Sequence, residues 1–76
     1  MSLEWEVSKP AKYAEKWWKK NGYAYERVGC SVYYDKYVVK KDGHSMEFDV
    51  NCMVTNFKEN MVYFEKMFAE DVRAKK

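Results

Sequence analysis

Histidine, the commonest acid–base side chain, occurs once in this chain, as His44. A single histidine directly after a turn, with no neighbour in sequence to fix it as a base, supports no acid–base site. It reads as a solvated turn residue. Cysteine is nearly as scarce: Cys30 and Cys52 form no Cys-x-x-Cys pair, and no motif joins either of them to His44 as a nucleophile and base. A zinc site takes roughly three or four His and Cys ligands, and the chain holds only three such residues, spread along it. The three glycines build no phosphate loop, and the single proline marks no linker. A net charge of +2 is too small to demand a polyanionic partner. No apolar run approaches the ~18 residues of a membrane helix, and no signal peptide is legible. The cytoplasm is therefore the expected compartment, with both thiols reduced and packed as small hydrophobes. These shortages point to a non-catalytic chain without cofactor or metal.

Aromatic residues are plentiful, at 18% of the chain. They supply core area that 76 residues otherwise lack, since one domain of this size buries only about 60% of its unfolded surface. The clearest local pattern runs from Tyr34 to Val50. Asp42-Gly43 separates two alternating runs, which predicts a hairpin closed by a two-residue type I′ turn. Such a turn sets the register from Lys41 facing His44 to Lys36 facing Asp49. Tyr37, Val39, Met46, Phe48 and Val50 then share one face. Lys36, Lys40, Glu47 and Asp49 share the other, with Lys36 and Asp49 as a cross-strand ion pair. Glu47 and Asp49, opposite lysines, read as surface ion pairs and not as an acid and a base.

Ser8-Lys9-Pro10 is a helix start, with Ser8 or Lys9 as cap and proline in the first turn. The helical period gathers Pro10, Tyr13, Ala14, Trp17, Trp18 and Asn21 on one stripe, and Asn21-Gly22 ends the helix. Residues 23–33, rich in Tyr and Val, predict a strand in which Gly29 marks a bulge or the turn itself. The turn before the hairpin falls near Gly29-Cys30 or near Tyr34-Asp35. A second helix opens on Asn56 as cap with Glu59 three residues on. It carries Phe57, Met61, Phe64, Phe68 and Val72 on one stripe. Trp17, Phe48, Phe64 and Phe68 are the expected core.

The expected fold is α+β in the order helix-strand-strand-strand-helix: a three-stranded antiparallel sheet with two helices on one face. Residues 8–73 form the domain and 74–76 a frayed tail. Residues 1–7 are an N-terminal arm, part of it of the kind an expression vector leaves, in which Leu3, Trp5 and Val7 alternate with Glu4 and Glu6.

Two surfaces carry the functional expectation. Tyr34 and Val38 lie on the charged face of the hairpin, and Tyr63 and Met67 at the edge of the second helix's apolar stripe. Aromatic and apolar side chains left outside a core suit a protein interface, which makes the leading reading a protein-interaction or self-associating module, a homodimer or a partner of another protein. Lys9, Lys12, Lys16, Lys19 and Lys20 form a basic stripe on the first helix, with Glu15 off it. They are the alternative, a contact for a nucleic-acid backbone. No small-molecule substrate is indicated.

In element order and length the chain resembles double-stranded-RNA-binding domains. In that family lysines at the start of the last helix meet phosphates. The corresponding start here, Thr55-Asn56-Phe57-Lys58-Glu59-Asn60, offers Lys58 alone beside Glu59, without a Lys-Lys-x-Ala-Lys pattern. The resemblance implies a topology and transfers no residue-specific role.

Overall fold

Asp42 and Gly43 both adopt positive φ, 53° and 79°, as a type I′ turn requires. The ladder that follows runs from Lys41↔His44 to Tyr34↔Asn51 in the expected register. The structure, a computed structural model, describes residues 8–75. The arm at residues 1–7 lies outside them. In chain order the elements are α1 (Lys9–Lys20), β1 (Ala24–Cys30), β2 (Tyr34–Lys41), β3 (His44–Asn51) and α2 (Phe57–Ala74). The sheet is antiparallel with order β1-β2-β3, and both helices pack on one of its faces.

Both helix ends follow from their capping residues. The Ser8 hydroxyl accepts from the Ala11 N–H at the start of α1. At its end Gly22 has φ +83°, Tyr23 N–H donates to Trp18 O at 2.8 Å and Gly22 N–H to Lys19 O at 3.4 Å. That pair of bonds is a Schellman motif, and it needs the left-handed residue that glycine supplies. Asn56 caps α2 by accepting from Glu59 N–H at 3.0 Å. The stripe of α2 is as expected: Met61, Phe64 and Phe68 are buried, with Val72 packed beside them.

The stripe of α1 needs correction. Its buried residues are Pro10, Ala11, Ala14 and Trp18, while Tyr13, Asn21 and much of Trp17 face outward. The helix is rotated toward Ala11 because two alanines let it approach the sheet closely. The same rotation brings Glu15 to the hydroxyl of the buried Tyr37, which donates to Glu15 Oε2. Burial, then the bond to Glu15, holds the Tyr37 phenol well above its ordinary range. Trp18, not Trp17, is the centre of the core. Its ring meets Tyr37 at 5.0 Å, Phe64 at 5.4 Å, Tyr25 at 5.7 Å and Phe48 at 6.3 Å. Most of these pairs are edge-to-face, a geometry that adds about 0.5–1.5 kcal/mol each beyond area burial. Trp17 covers the flank, against Tyr23 and Phe64.

Three further expectations are revised. The predicted strand at 23–33 ends at Cys30, and Ser31–Tyr33 is a turn closed by Ser31 N–H to Tyr34 O at 2.7 Å. Lys36 faces Asp49 in the ladder, yet its ammonium lies 3.8 Å from Glu47. His44 is no solvated turn residue. Its Nε2 is 2.7 Å from Asp71 Oδ2 of α2, and its ring stands edge-on to Phe68.

Candidate functional site

The register of β1 against β2 slips once. Arg27 pairs with Tyr37 and Gly29 with Lys36, so Val28 is an extra residue, a β-bulge one position before the glycine that signalled it. Side chains alternate across a strand, so one inserted residue exchanges the faces beyond it. Cys30 therefore pairs with Asp35 and joins it on the helix-bearing side of the sheet. Cys52, two residues past the buried Val50, follows on the same side.

A cleft of about 410 Å³ opens at this end of the sheet, bordered by Cys30, Cys52, Val32 and Tyr34. Its polar wall is an ion pair. Arg27 Nη2 lies 2.6 Å and Nε 3.0 Å from Asp35 Oδ1, while the Ser8 hydroxyl donates to Oδ2 at 3.0 Å. Asp35 is 5% exposed, the one buried charged residue among those described. Its bond to Arg27 raises the guanidinium's already high pKa. Both carboxylate oxygens are engaged, so the group works as a tie between α1, β1 and β2. The thiols are free as expected, but Cys30 is exposed and Cys52 only half-buried, so Cys30 is not packed as a small hydrophobe. Cys52 Sγ lies 3.6 Å from Val32 O. His44, tied to Asp71, stands at the hairpin-turn end of the sheet, the opposite end from both thiols. Among the described residues, no three His, Cys, Asp or Glu side chains converge as metal ligands.

Around the cleft, the lining residues Val32 and Tyr34 and the adjoining Tyr33 and Met53 are apolar and open. Val32 is 82% exposed, Met53 71%, Tyr33 61% and Tyr34 45%. Tyr34 opens β2, and the two loops that supply the other three are stitched together by Cys52 N–H to Tyr33 O at 2.8 Å. Met53 N–H in turn donates to Asn51 Oδ1 at 2.7 Å, which fixes the second loop.

The expected interface residues do not form one surface. Tyr34 and Val38 lie on the open face of the sheet, Val38 half-buried. Tyr63 and Met67 are on α2, beyond the other face. Tyr63 is exposed, and Met67 packs against the core. Only Tyr34 belongs to the apolar rim. Sequence reasoning missed Val32, Tyr33 and Met53 because it placed the first two inside a strand. The available signal was two large apolar residues directly after Gly29-Cys30-Ser31, where a turn was already one option.

The basic stripe is where the sequence put it. Lys9, Lys12, Lys16, Lys19 and Lys20 are all exposed, and none forms an ion pair among the described residues. Lys19 and Lys20 occupy the last turn of α1, where cations complement the helix dipole. No helix among the described residues is long and apolar enough to cross a membrane. Comparison with known proteins returns no matching family model, no matching curated protein and no matching solved structure.

Proposed function

We infer that this domain is a non-catalytic interaction module that self-associates through its turn end. The observation that carries the reading is the exposed apolar group of Val32, Tyr33 and Met53 on two mutually bonded loops, with Tyr34 beside them at the start of β2. Monomers seldom leave large apolar side chains grouped in this way. None of the four is charged, so two copies can meet there face to face about a twofold axis without opposing like charges. The lysine stripe of α1 lacks that property. A small domain also gains from covering such a surface.

Sedimentation equilibrium tests the reading. The unmodified protein should dimerise with a weak dependence on salt. Tyr33→Ser with Met53→Ser should move it to monomer without loss of fold. Lys12→Glu, Lys16→Glu and Lys19→Glu together should leave the dimer intact. A strict monomer at millimolar concentration overturns it.

The alternative reading, binding to a nucleic-acid backbone, is favoured by the five exposed lysines of α1, none of them in an ion pair among the described residues. Its signature is salt dependence, because each neutralised phosphate releases counterions and adds about 0.9 to the slope of log affinity against log salt. Duplex binding tighter than about 1 μM at low salt, abolished by the triple lysine reversal, would replace the first reading with the second.

A further inference from the structure

We propose that the free edge of β3, roofed by Tyr63 and Met67, binds an extended segment of another polypeptide in which apolar side chains alternate with lysine or arginine. The proposal rests on the reading of this domain as an interaction module but uses a different surface from the turn end.

The backbone comes first. In a hairpin closed by a two-residue turn, the pair Lys41↔His44 exchanges hydrogen bonds, and exchanging pairs then alternate along the ladder. Met46, Phe48 and Val50 therefore bond to β2. Ser45, Glu47, Asp49 and Asn51 aim their N–H and C=O groups away from it. The Asn51 carbonyl is taken by Val54 N–H at 3.2 Å. The outward groups of Ser45, Glu47 and Asp49 have no backbone partner among the described residues. The other edge of the sheet, β1, is interrupted by the bulge at Val28. Edges are commonly blunted by proline, bulges or lysine. The sequence of β3, His-Ser-Met-Glu-Phe-Asp-Val-Asn, has no proline, bulge or lysine, and its exposed charges are the carboxylates of Glu47 and Asp49.

Side chains set the partner. The helical period puts Tyr63 and Met67 on one flank of α2, about 80–120° around it from Phe57 of the buried stripe, which meets Tyr13 of α1. The Tyr63 ring reaches β3 itself, 6.4 Å from Phe48. An added strand would thus have one row of side chains beneath Tyr63 and Met67, an apolar roof. Its other row would lie beside Glu47 and Asp49, both exposed. Apolar residues suit the first row and cations the second. The same carboxylates turn away a second copy of this chain, because pairing β3 with β3 sets Glu47 and Asp49 against each other.

The test uses short synthetic peptides and the intact protein, read by amide NMR titration. A Lys-Val repeat should bind and shift the amides of Ser45, Glu47 and Asp49. An N-methylated Lys-Val peptide, which cannot complete the ladder, and a Glu-Val repeat should each bind at least about tenfold more weakly. Glu47→Lys with Asp49→Lys should reverse the preference, so that the Glu-Val repeat becomes the better ligand. Tyr63→Ala should weaken the Lys-Val peptide without reversing it. Equal binding of the methylated peptide, or a charge reversal without effect on preference, overturns the proposal. So does concentration-dependent protection of these three amides in the free protein, which would show a second copy at the edge. The interaction-module reading fails separately: Tyr33→Ser with Met53→Ser leaves the β3 edge untouched, so dimerisation and peptide capture are lost independently.

Discussion

Asp35 is a charge buried in a 76-residue domain, and its surroundings explain how it is tolerated. Arg27 and Ser8 between them engage both of its oxygens. Removing one member of a buried pair strands the other, at a cost of about 3–5 kcal/mol. Asp35→Ala should therefore destabilise by about 3 kcal/mol in urea titration, whereas Asp35→Leu combined with Arg27→Met should cost clearly less. Comparable losses would show that the carboxylate acts other than through Arg27. A second residue-scale test concerns acid. The bond from His44, aided by the Lys75 ammonium, holds the Asp71 carboxyl below its usual range. A depressed carboxylate contributes stability above its unfolded pKa of about 3.9 and loses it as pH falls through the lower folded value. The acid limb of the stability profile should thus be shallower for Asp71→Asn than for the unmodified protein. Identical limbs would show that the contact contributes nothing in solution.

Among the elements, the hairpin was the most legible. An alternation of period two and an Asp-Gly turn are local signals, and they set register, turn type and buried face together. Gly43 at φ +79° is the position where that logic is sharpest. Gly43→Val should cost more than about 1 kcal/mol, because a β-branched residue resists the left-handed region. Gly43→Asn should cost less, and equal effects would argue against backbone conformation as the cause. The bulge in β1 was only half legible. Gly29 signalled an irregularity, but the pairing with β2 decided that Val28 is the extra residue and that Cys30 turns to the helix side. The face of α1 was misread for a similar reason. Tyr13 and Trp17 look more hydrophobic than Ala11, yet small residues permit the closest approach to a sheet.

At the scale of the whole molecule, stability depends on one aromatic cluster shared by every element. Phe64 contacts Trp17, Trp18, Tyr23, Phe48 and Phe68, and it is fully buried. Phe64→Ala should cost about 3–5 kcal/mol, a large part of the ~5–15 kcal/mol that holds a domain together. Trp18→Ala should be similarly severe and Trp17→Ala milder. Thermal melts rank the three, and a Trp17 variant as damaged as the Trp18 variant would show the assignment of the core centre to be wrong. The sequence by itself determined the five elements and their order, the hairpin register, the cap of α2 and its apolar stripe, and it narrowed the cap of α1 to Ser8 or Lys9. All of these depend on residues within a few positions of each other, where steric preference and side-chain period act directly. Only the tertiary structure decided which tryptophan is central, that Asp35 pairs with Arg27 and Ser8, that His44 meets Asp71, and that Val32, Tyr33 and Met53 gather at one end. Those contacts join residues far apart in the chain, and which of them form depends on how closely two surfaces pack, a quantity that no local pattern encodes.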